Sequence, residues 1–222
     1  MKIGIACGGT GGHTFPGLAT AAVLKEWGHE VTLWLAGKDI EADSVQDWDG
    51  PRHTIYAEGF QHGFSLRSVQ TGRHLYEACK RCREIMRREP PDVLLGMGSY
   101  ASVGPVRAAL KLKIPVVLHE ANVHPGRTVE FFARKATAVA ASFEETRHDL
   151  PGIDLKVSGM PLRKSIELAA RGQVPIRSDD HRFTILCMGG SLGARALNEV
   201  VSHGVLQLQK ITRDFHVIHL TG

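Results

Sequence analysis

Short apolar segments alternate along the chain with longer segments whose apolar residues recur every three or four positions. This pattern predicts strands that each lead through a turn into a helix. Strands are expected at Lys2–Cys7, Glu30–Ala36, Arg52–Tyr56, Asp92–Leu95, Pro115–His119, Thr137–Ala141, Phe183–Met188 and Phe215–Leu220. Helices are expected at Phe15–Trp27, Asp39–Gln46, Ser68–Arg88, Ser102–Leu112, Arg127–Lys135 and Ala194–Leu208. The alternation favours an α/β protein whose parallel sheet is covered by helices on both faces.

Two units of this kind are predicted. The strand–glycine turn–helix pattern occurs at Ile3–Trp27 and again at Phe183–Leu208. Between them, glycine, proline and polar residues are typical of a linker. We expect an N-terminal domain at 1–157, a linker at 158–180 and the start of a second domain at 181–222. We hypothesise that the chain is a fragment of a longer protein, inactive or nearly so by itself, with exposed apolar sheet edges in its second unit.

Composition narrows the functional classes only slightly. The chain has 222 residues, of which 43% are hydrophobic and 23% charged, as in ordinary globular proteins. A net charge of +4 permits an anionic ligand or membrane surface. The sequence contains no nucleic-acid-binding motif, so no nucleic-acid partner is expected. The apolar run at Met1–Cys7 is too short for a signal peptide or a spanning helix, which favours a cytoplasmic location.

Two glycine-rich turns carry the main candidate chemistry. Gly8–His13 and Gly189–Arg195 each follow a predicted strand and precede a predicted helix. Glycines let backbone N–H groups approach a ligand, and a helix N-terminus favours an anion. The pair therefore predicts an anionic ligand between two domains. Thr14 stands where a dinucleotide motif needs its third glycine, and no P-loop triplet occurs in the sequence.

The C-x-x-C motif of Cys79 and Cys82 suggests a redox or zinc site. However, Leu75 and Met86 continue the same apolar helical stripe, and no second cysteine pair completes a zinc site. We therefore interpret both cysteines as core residues.

Two further patterns resemble metal sites. His119-Glu120 and His124 are one residue too far apart for H-E-x-x-H, whose histidines share a helix face. Asp47-Trp48-Asp49 fits a D-x-D motif, but it precedes Gly50-Pro51 and is interpreted as a solvated turn. We expect no metal ion and no bound cofactor.

Five motifs resemble those of the MurG family and occur in the family's order. They are Gly8–Pro16 (GGTGGHTFP), Met97–Tyr100 with Gly104-Pro105, Ile114–Asn122 (IPVVLHEAN) followed by Pro125-Gly126 and Thr128, Gly159–Arg163 (GMPLR) and Gly189–Asn198 (GGSLGARALN). Together they span nearly the whole chain. The family's pattern is changed at Ser99, Ala121, Met160, Leu192 and Val129-Glu130.

The resemblance implies a GT-B fold with two Rossmann-like domains, the second incomplete here. It also implies an inverting transfer of N-acetylglucosamine (GlcNAc) from UDP-GlcNAc to the muramoyl 4-hydroxyl of lipid I, which gives lipid II for peptidoglycan. The implied substrate-binding residues are Thr10, Gly11, Gly12, Tyr100, Asn122, Arg163 and Ser191. The family generally needs no catalytic metal.

His13 is the candidate catalytic base, because an imidazole accepts a proton near neutral pH. Glu120 is the alternative base or an orienting group. Purely structural roles remain open: a cap or packing role for His13, an ion pair for Glu120, and a linker salt bridge for Arg163.

A lipid-linked acceptor implies contact with an anionic membrane, here the inner face of the bacterial plasma membrane. The basic helix Ser68–Arg88, with Phe60, Phe64 and Leu66, is the candidate contact, and a solvated helix face is the alternative. Two other functions remain open. One is a related GT-B glycolipid glycosyltransferase with a different acceptor, and the other is a non-catalytic module that binds a sugar nucleotide or lipid.

Overall fold

The predicted alternation of strands and helices is present in the computed structural model, which describes residues 1–37, 43–46, 48–55, 66–172, 182–190 and 193–222. The strands are β1 (Lys2–Ala6), β2 (Glu30–Leu35), β3 (Arg52–Thr54), β4 (Val93–Gly96), β5 (Val116–Glu120), β6 (Ala138–Ala141), β7 (Leu155–Val157), β8 (Phe183–Met188) and β9 (Phe215–Leu220). The helices are α1 (Gly11–Glu26), α2 (Asp43–Gln46), α3 (Leu66–Arg88), α4 (Val103–Lys111), α5 (Arg127–Phe132), α6 (Lys164–Arg171) and α7 (Arg195–Leu208). The chain divides into two compact units, Met1–Leu168 and Ala169–Gly222.

A seven-stranded parallel sheet forms the centre of the first unit, in the order β3-β2-β1-β4-β5-β6-β7. In a parallel sheet, the carboxyl ends of all strands lie at one edge. The strand order reverses between β1 and β4, and ligands of open α/β sheets bind outside the strand ends at such a point. The turns that follow β1 and β4 therefore flank the expected binding crevice.

Apolar side chains cover both faces of this sheet. On one face, α1 packs so closely against the end of β1 that a Cβ added to Gly17 would lie 2.5 Å from the Cβ of Cys7. The opposite face packs against α3 and α4 through buried residues that include Met86, Leu94 and Val106. Burial on both faces explains why the strands are almost continuously apolar in sequence.

Helix α1 begins earlier than predicted. The sequence placed its start at Phe15, whereas the first helical residue is Gly11. The prediction was wrong because glycine is a poor helix former, and local propensity gave way to tertiary packing. Strand β7 and helix α6 were also not predicted, since they lie near or within the predicted linker.

Of the two cysteines in the C-x-x-C motif, Cys82 lies in the core that α3 covers, as predicted, whereas Cys79 is only half-buried. Cys82 is fully buried, and its sulfur would lie 3.4 Å from a Cβ added to Gly104 of α4. Burial raises the pKa of the Cys82 thiol to about 12, and burial also raises the pKa of the half-buried Cys79. No cluster of three or more His, Cys, Asp or Glu side chains in the described residues could hold a metal ion.

The second unit pairs β8 and β9 in parallel beside α7. One face of this two-stranded sheet is exposed to solvent. The apolar residues at alternate positions on that face are each more than half exposed, namely Leu186, Met188, Ile218 and Leu220. The exposed apolar surface in the described part of this unit is thus a sheet face, whereas the sequence predicted exposed sheet edges, and that expectation stays a prediction.

Candidate active site

The first glycine turn leaves β1 through two residues in the left-handed region. Gly8 has φ of +134° and Gly9 has φ of +85°. A Cβ on Gly9 would lie 2.8 Å from a ring carbon of Tyr100, which begins a short 3₁₀ turn after β4. The backbone of the first glycine turn thus packs directly against the Tyr100 ring, in the turn that follows β4.

Free backbone donors lie where α1 starts. The carbonyl of Thr10 accepts hydrogen bonds from the backbone N–H groups of His13 and Thr14, at 3.1 and 3.0 Å. The N–H groups of Gly11 and Gly12 have no partner among the described residues. These two donors sit at the positive end of a 16-residue helix, so the site favours a negatively charged group.

The half-buried imidazole of His13 is held by the end of β4. Its Nδ1 lies 2.7 Å from the carbonyl oxygen of Met97. A carbonyl oxygen can only accept a hydrogen bond, so Nδ1 carries the proton and Nε2 of the neutral ring keeps its lone pair. The structure therefore gives His13 the tautomer that a general base requires.

The carboxylate of Glu120 shapes the turn after β5. Glu120 is 2% exposed. Its Oε1 accepts hydrogen bonds from the backbone N and side-chain Nδ2 of Asn122, at 2.9 and 3.0 Å, and its Oε2 accepts one from the N of Gly126 at 2.8 Å. Both oxygens are thus occupied, and no ion pair to Glu120 exists in the described residues. This geometry favours an orienting group over a base.

The turn held by Glu120 lies beside the other turns of the site. A Cβ added to Gly126 would lie 3.8 Å from Oε2 of Glu120 and 3.9 Å from the carbonyl oxygen of Gly98. The backbone carbonyl of Asn122 accepts a 3.0 Å hydrogen bond from the buried hydroxyl of Thr146. Asn122 is thereby fixed through its backbone and its Nδ2, while its Oδ1 has no partner in the described part of the chain.

Arg163 lies over the ring of Phe15, with its guanidinium carbon 4.5 Å from the ring centroid. No carboxylate pairs with Arg163 in the described residues, so the predicted alternative of a linker salt bridge is not observed there. Its neighbour Lys164 instead forms an exposed ion pair with Glu26 at 2.7 Å. The guanidinium remains available to a ligand.

His119, which the sequence analysis did not select as a site residue, connects β5 to the Gly159 segment. It is 3% exposed, and its Nε2 lies 3.4 Å from the carbonyl oxygen of Gly159. Burial lowers the pKa of His119, and the nearby His13 lowers it further, whereas the Gly159 hydrogen bond and Glu120 act in the opposite direction. The available signal was a histidine at the end of an apolar strand, next to Glu120.

The first unit contains eight of the predicted site residues, all at the carboxyl ends of its strands or in the segments that follow them: Thr10, Gly11, Gly12, His13, Tyr100, Glu120, Asn122 and Arg163. The predicted site residue Ser191 lies outside the described residues, as do Asp47, Phe60 and Phe64. Asp49 forms an exposed 2.5 Å ion pair with Lys25, which lowers the pKa of Asp49 and agrees with a solvated turn.

Comparison with known sequences gives a consistent result. Residues 3–141 match the model of the glycosyltransferase family 28 N-terminal domain. The chain is 34% identical over 222 residues to the UDP-N-acetylglucosamine--N-acetylmuramyl-(pentapeptide) pyrophosphoryl-undecaprenol N-acetylglucosamine transferase of Gloeothece citriformis, covering 100% of this chain and 60% of the relative. It is 39% identical over 211 residues to the protein of the same name from Shewanella denitrificans, covering 94% of this chain and 56% of the relative. The chain thus spans about 60% of the length of the curated relatives it matches.

Solved structures show the same fold class. MurG of Acinetobacter baumannii aligns with a TM-score of 0.70 and 29% identity, covering 94% of this chain and 57% of that one. The calicheamicin glycosyltransferase CalG4 aligns with a TM-score of 0.61 and 14% identity, covering 100% of this chain and 64% of that one. The second likeness concerns the fold alone. Together they confirm the predicted α/β fold class of the GT-B type.

Proposed function

The chain belongs to glycosyltransferase family 28, and from this premise we propose that the protein transfers GlcNAc from UDP-GlcNAc to the muramoyl 4-hydroxyl of lipid I. The product would be lipid II, a precursor of peptidoglycan. The names of the relatives specify this sugar and a pyrophosphoryl-undecaprenol acceptor. The observation that carries the proposal is the 2.7 Å contact of His13 Nδ1 with the Met97 carbonyl, which leaves Nε2 available beside two helix N–H donors that have no partner in the described residues.

The reaction is a single displacement at C1 of the donor sugar. The acceptor oxygen forms a bond to C1 as the bond from C1 to the UDP oxygen breaks, and UDP leaves with the electron pair. Nε2 of His13 takes the proton of the acceptor hydroxyl, a step that contributes roughly 10²- to 10⁴-fold in enzymes. The configuration at C1 is inverted.

Negative charge that develops on the departing UDP needs fixed donors. The N–H groups of Gly11 and Gly12 at the start of α1 supply two, and the Arg163 guanidinium supplies a full positive charge. Such preorganised donors stabilise a transition state because they need no rearrangement during the reaction. Glu120 assists indirectly by fixing the turn that carries Asn122.

We further propose that the protein works at the cytoplasmic face of the plasma membrane, against anionic lipids. No helix in the described residues is long and apolar enough to cross a membrane. Helix α3 presents exposed Tyr76 and Lys80, and the segment that starts at α5 adds Phe131, 62% exposed, with the amine of Lys135 at 5.0 Å from its ring centroid. Exposed aromatic and basic side chains of this kind suit an interface with anionic headgroups.

A transfer assay tests the proposed reaction. The protein expressed from its complete coding sequence is incubated with UDP-GlcNAc labelled in the sugar and with lipid I in detergent micelles. We expect label in the lipid fraction and an equal release of UDP. Binding of UDP-GlcNAc without transfer would support a non-catalytic module and overturn the proposal. Transfer to a diacylglycerol but not to lipid I would show that lipid I is not the acceptor.

A further inference from the structure

We propose that Phe15 is a positioning residue, an aromatic platform that holds the Arg163 guanidinium beside the first glycine turn so that it meets the donor diphosphate. This inference rests on the proposed function, because the diphosphate is the ligand that it assigns to Arg163. The aromatic side chain contacts the cation and not the substrate. Its contribution is therefore to place a charge.

The ring of Phe15 is itself part of the glycine turn. A Cβ added to Gly11 would lie 3.0 and 3.3 Å from two carbons of the Phe15 ring, so the ring lies against the first residue of α1. Gly11 does not have a left-handed φ. Its missing side chain is needed here as space for the ring and not for backbone freedom. The free N–H groups and the aromatic platform consequently share one helical turn.

Arg163 is anchored by its backbone while its side chain is exposed. Its carbonyl accepts hydrogen bonds from the N–H groups of Ile166 and Glu167 at 2.9 and 3.2 Å, which fixes it at the start of α6. The adjacent Lys164–Glu26 ion pair ties the same helix start to the end of α1. An arginine side chain is long and loses considerable rotamer freedom when it is held in one place. Without a carboxylate partner in the described residues, the cation–π contact with Phe15 is the contact that restricts it.

A cation–π contact suits this purpose better than an ion pair would. A carboxylate partner would occupy the N–H donors of the guanidinium and cancel its charge. An aromatic face attracts the cation through its π-electrons without neutralising its charge, so the guanidinium keeps N–H donors for phosphate oxygens. The site therefore combines one full positive charge with the partial positive charge of a helix start, which matches the several negative charges of a diphosphate.

The test is a double-mutant cycle on UDP binding, measured by calorimetry with the protein from its complete coding sequence. Phe15→Leu removes the π-system, and Phe15→Tyr is the matched control that keeps it. We expect Phe15→Leu to weaken UDP binding about two- to five-fold, as an exposed cation–π contact of about 0.5–1 kcal/mol implies, and Phe15→Tyr to bind like wild type. In an Arg163→Ala background, Phe15→Leu should have no further effect.

The outcomes separate the platform from the proposed function. If the effects of Phe15→Leu and Arg163→Ala on UDP affinity simply add, the platform is refuted while the donor site stands. If wild type does not bind UDP, or if Arg163→Ala binds it equally well, the proposed donor site itself fails. Circular dichroism verifies the fold of each variant. If Phe15→Leu does not fold, Phe15→Met is used in the same cycle with the same expectation.

Discussion

Nδ1 of His13 donates a hydrogen bond to the carbonyl oxygen of Met97 across 2.7 Å, and this contact joins the start of α1 to the end of β4. It assigns the ring proton to one nitrogen and leaves the lone pair on the other. The imidazole is thus oriented to accept a proton at Nε2 before any substrate binds.

Replacing His13 by Asn separates position from chemistry. The Asn amide can still donate a hydrogen bond to the Met97 carbonyl. However, the imidazole Nε2 that would take the proton of the sugar hydroxyl is lost. We expect kcat for GlcNAc transfer to fall by roughly 10²- to 10⁴-fold, with the affinity for UDP unchanged. Steady-state kinetics and calorimetry measure the two quantities. A variant with wild-type kcat would show that His13 only supports the helix start.

Gly9→Ala should destabilise the protein by about 1–3 kcal/mol, because Gly9 has φ of +85° and an added Cβ would meet the Tyr100 ring. Gly72→Ala in α3 is the matched control, since its added Cβ would meet nothing within 4 Å. It should raise stability by up to about 1 kcal/mol through helix propensity. Urea denaturation measures both free energies of unfolding. Equal effects at the two positions would contradict the packing of Tyr100 on the turn.

Glu120→Gln should destabilise the fold by about 1–3 kcal/mol. Three N–H groups point at the carboxylate, and the amide group of Gln would set a donor against one of them. Glu144→Gln is the control, because its ion pair with Arg147 is exposed to solvent and should matter far less. Thermal unfolding of both variants decides the matter. A Glu120→Gln variant as stable as wild type would remove the assigned role of the carboxylate.

Iodoacetamide should spare Cys82 in the folded protein at pH 8. Its thiol is fully buried, and burial raises its pKa to about 12, so almost no reactive thiolate forms. After denaturation in urea the same cysteine should be alkylated readily. Peptide mass spectrometry reads out both states. Rapid alkylation in the native state would argue for a redox function of the C-x-x-C motif.

His119 should make the protein less stable as the pH falls. Burial lowers its pKa in the folded state, whereas the unfolded chain keeps a value of about 6.5. Below about pH 6.5 the unfolded state therefore binds a proton that the folded state does not, and the free energy of unfolding decreases until the pH reaches the folded pKa. Denaturation in urea at pH 7 and pH 5 should show a smaller decrease for His119→Gln than for wild type. An identical decrease in the two proteins would exclude this contribution.

The strands and long helices were predictable because their apolar periodicity is strong. Helix α3 was expected at Ser68–Arg88 and extends over Leu66–Arg88, while β8 and β9 have the predicted bounds. Helix α6 (Lys164–Arg171) was missed because it lies inside the segment that the sequence analysis interpreted as a linker, on account of the glycine, proline and polar residues there. Its apolar residues Ile166 and Leu168 are exposed among the described residues, so burial gives no sign of this helix either.

The residues of the candidate site were easier to name than their relationships. Sequence motifs pointed to His13 and Arg163. Nothing in the sequence indicated that the carbonyl of Met97 contacts His13, or that the ring of Phe15 contacts Arg163. Both contacts join segments more than 80 positions apart in sequence. Such pairings depend on the order of the strands in the sheet, which local patterns do not encode. The predicted role of Ser191 stays a prediction.

The candidate site lies at one rim of the parallel sheet, formed by the segments that follow the carboxyl ends of the strands. The residues that stabilise the fold are therefore largely different from those assigned to ligand binding. Strands β1, β4, β5 and β7 fix where each rim segment starts, while the segments themselves carry the groups assigned to substrate. The backbone groups of Asn122 and Gly126 that hold Glu120 must be kept, whereas neighbouring side chains in these segments can change without altering the pairing of the strands. Altered ligand selectivity is therefore expected from substitutions at this rim, without rebuilding the interior of the protein.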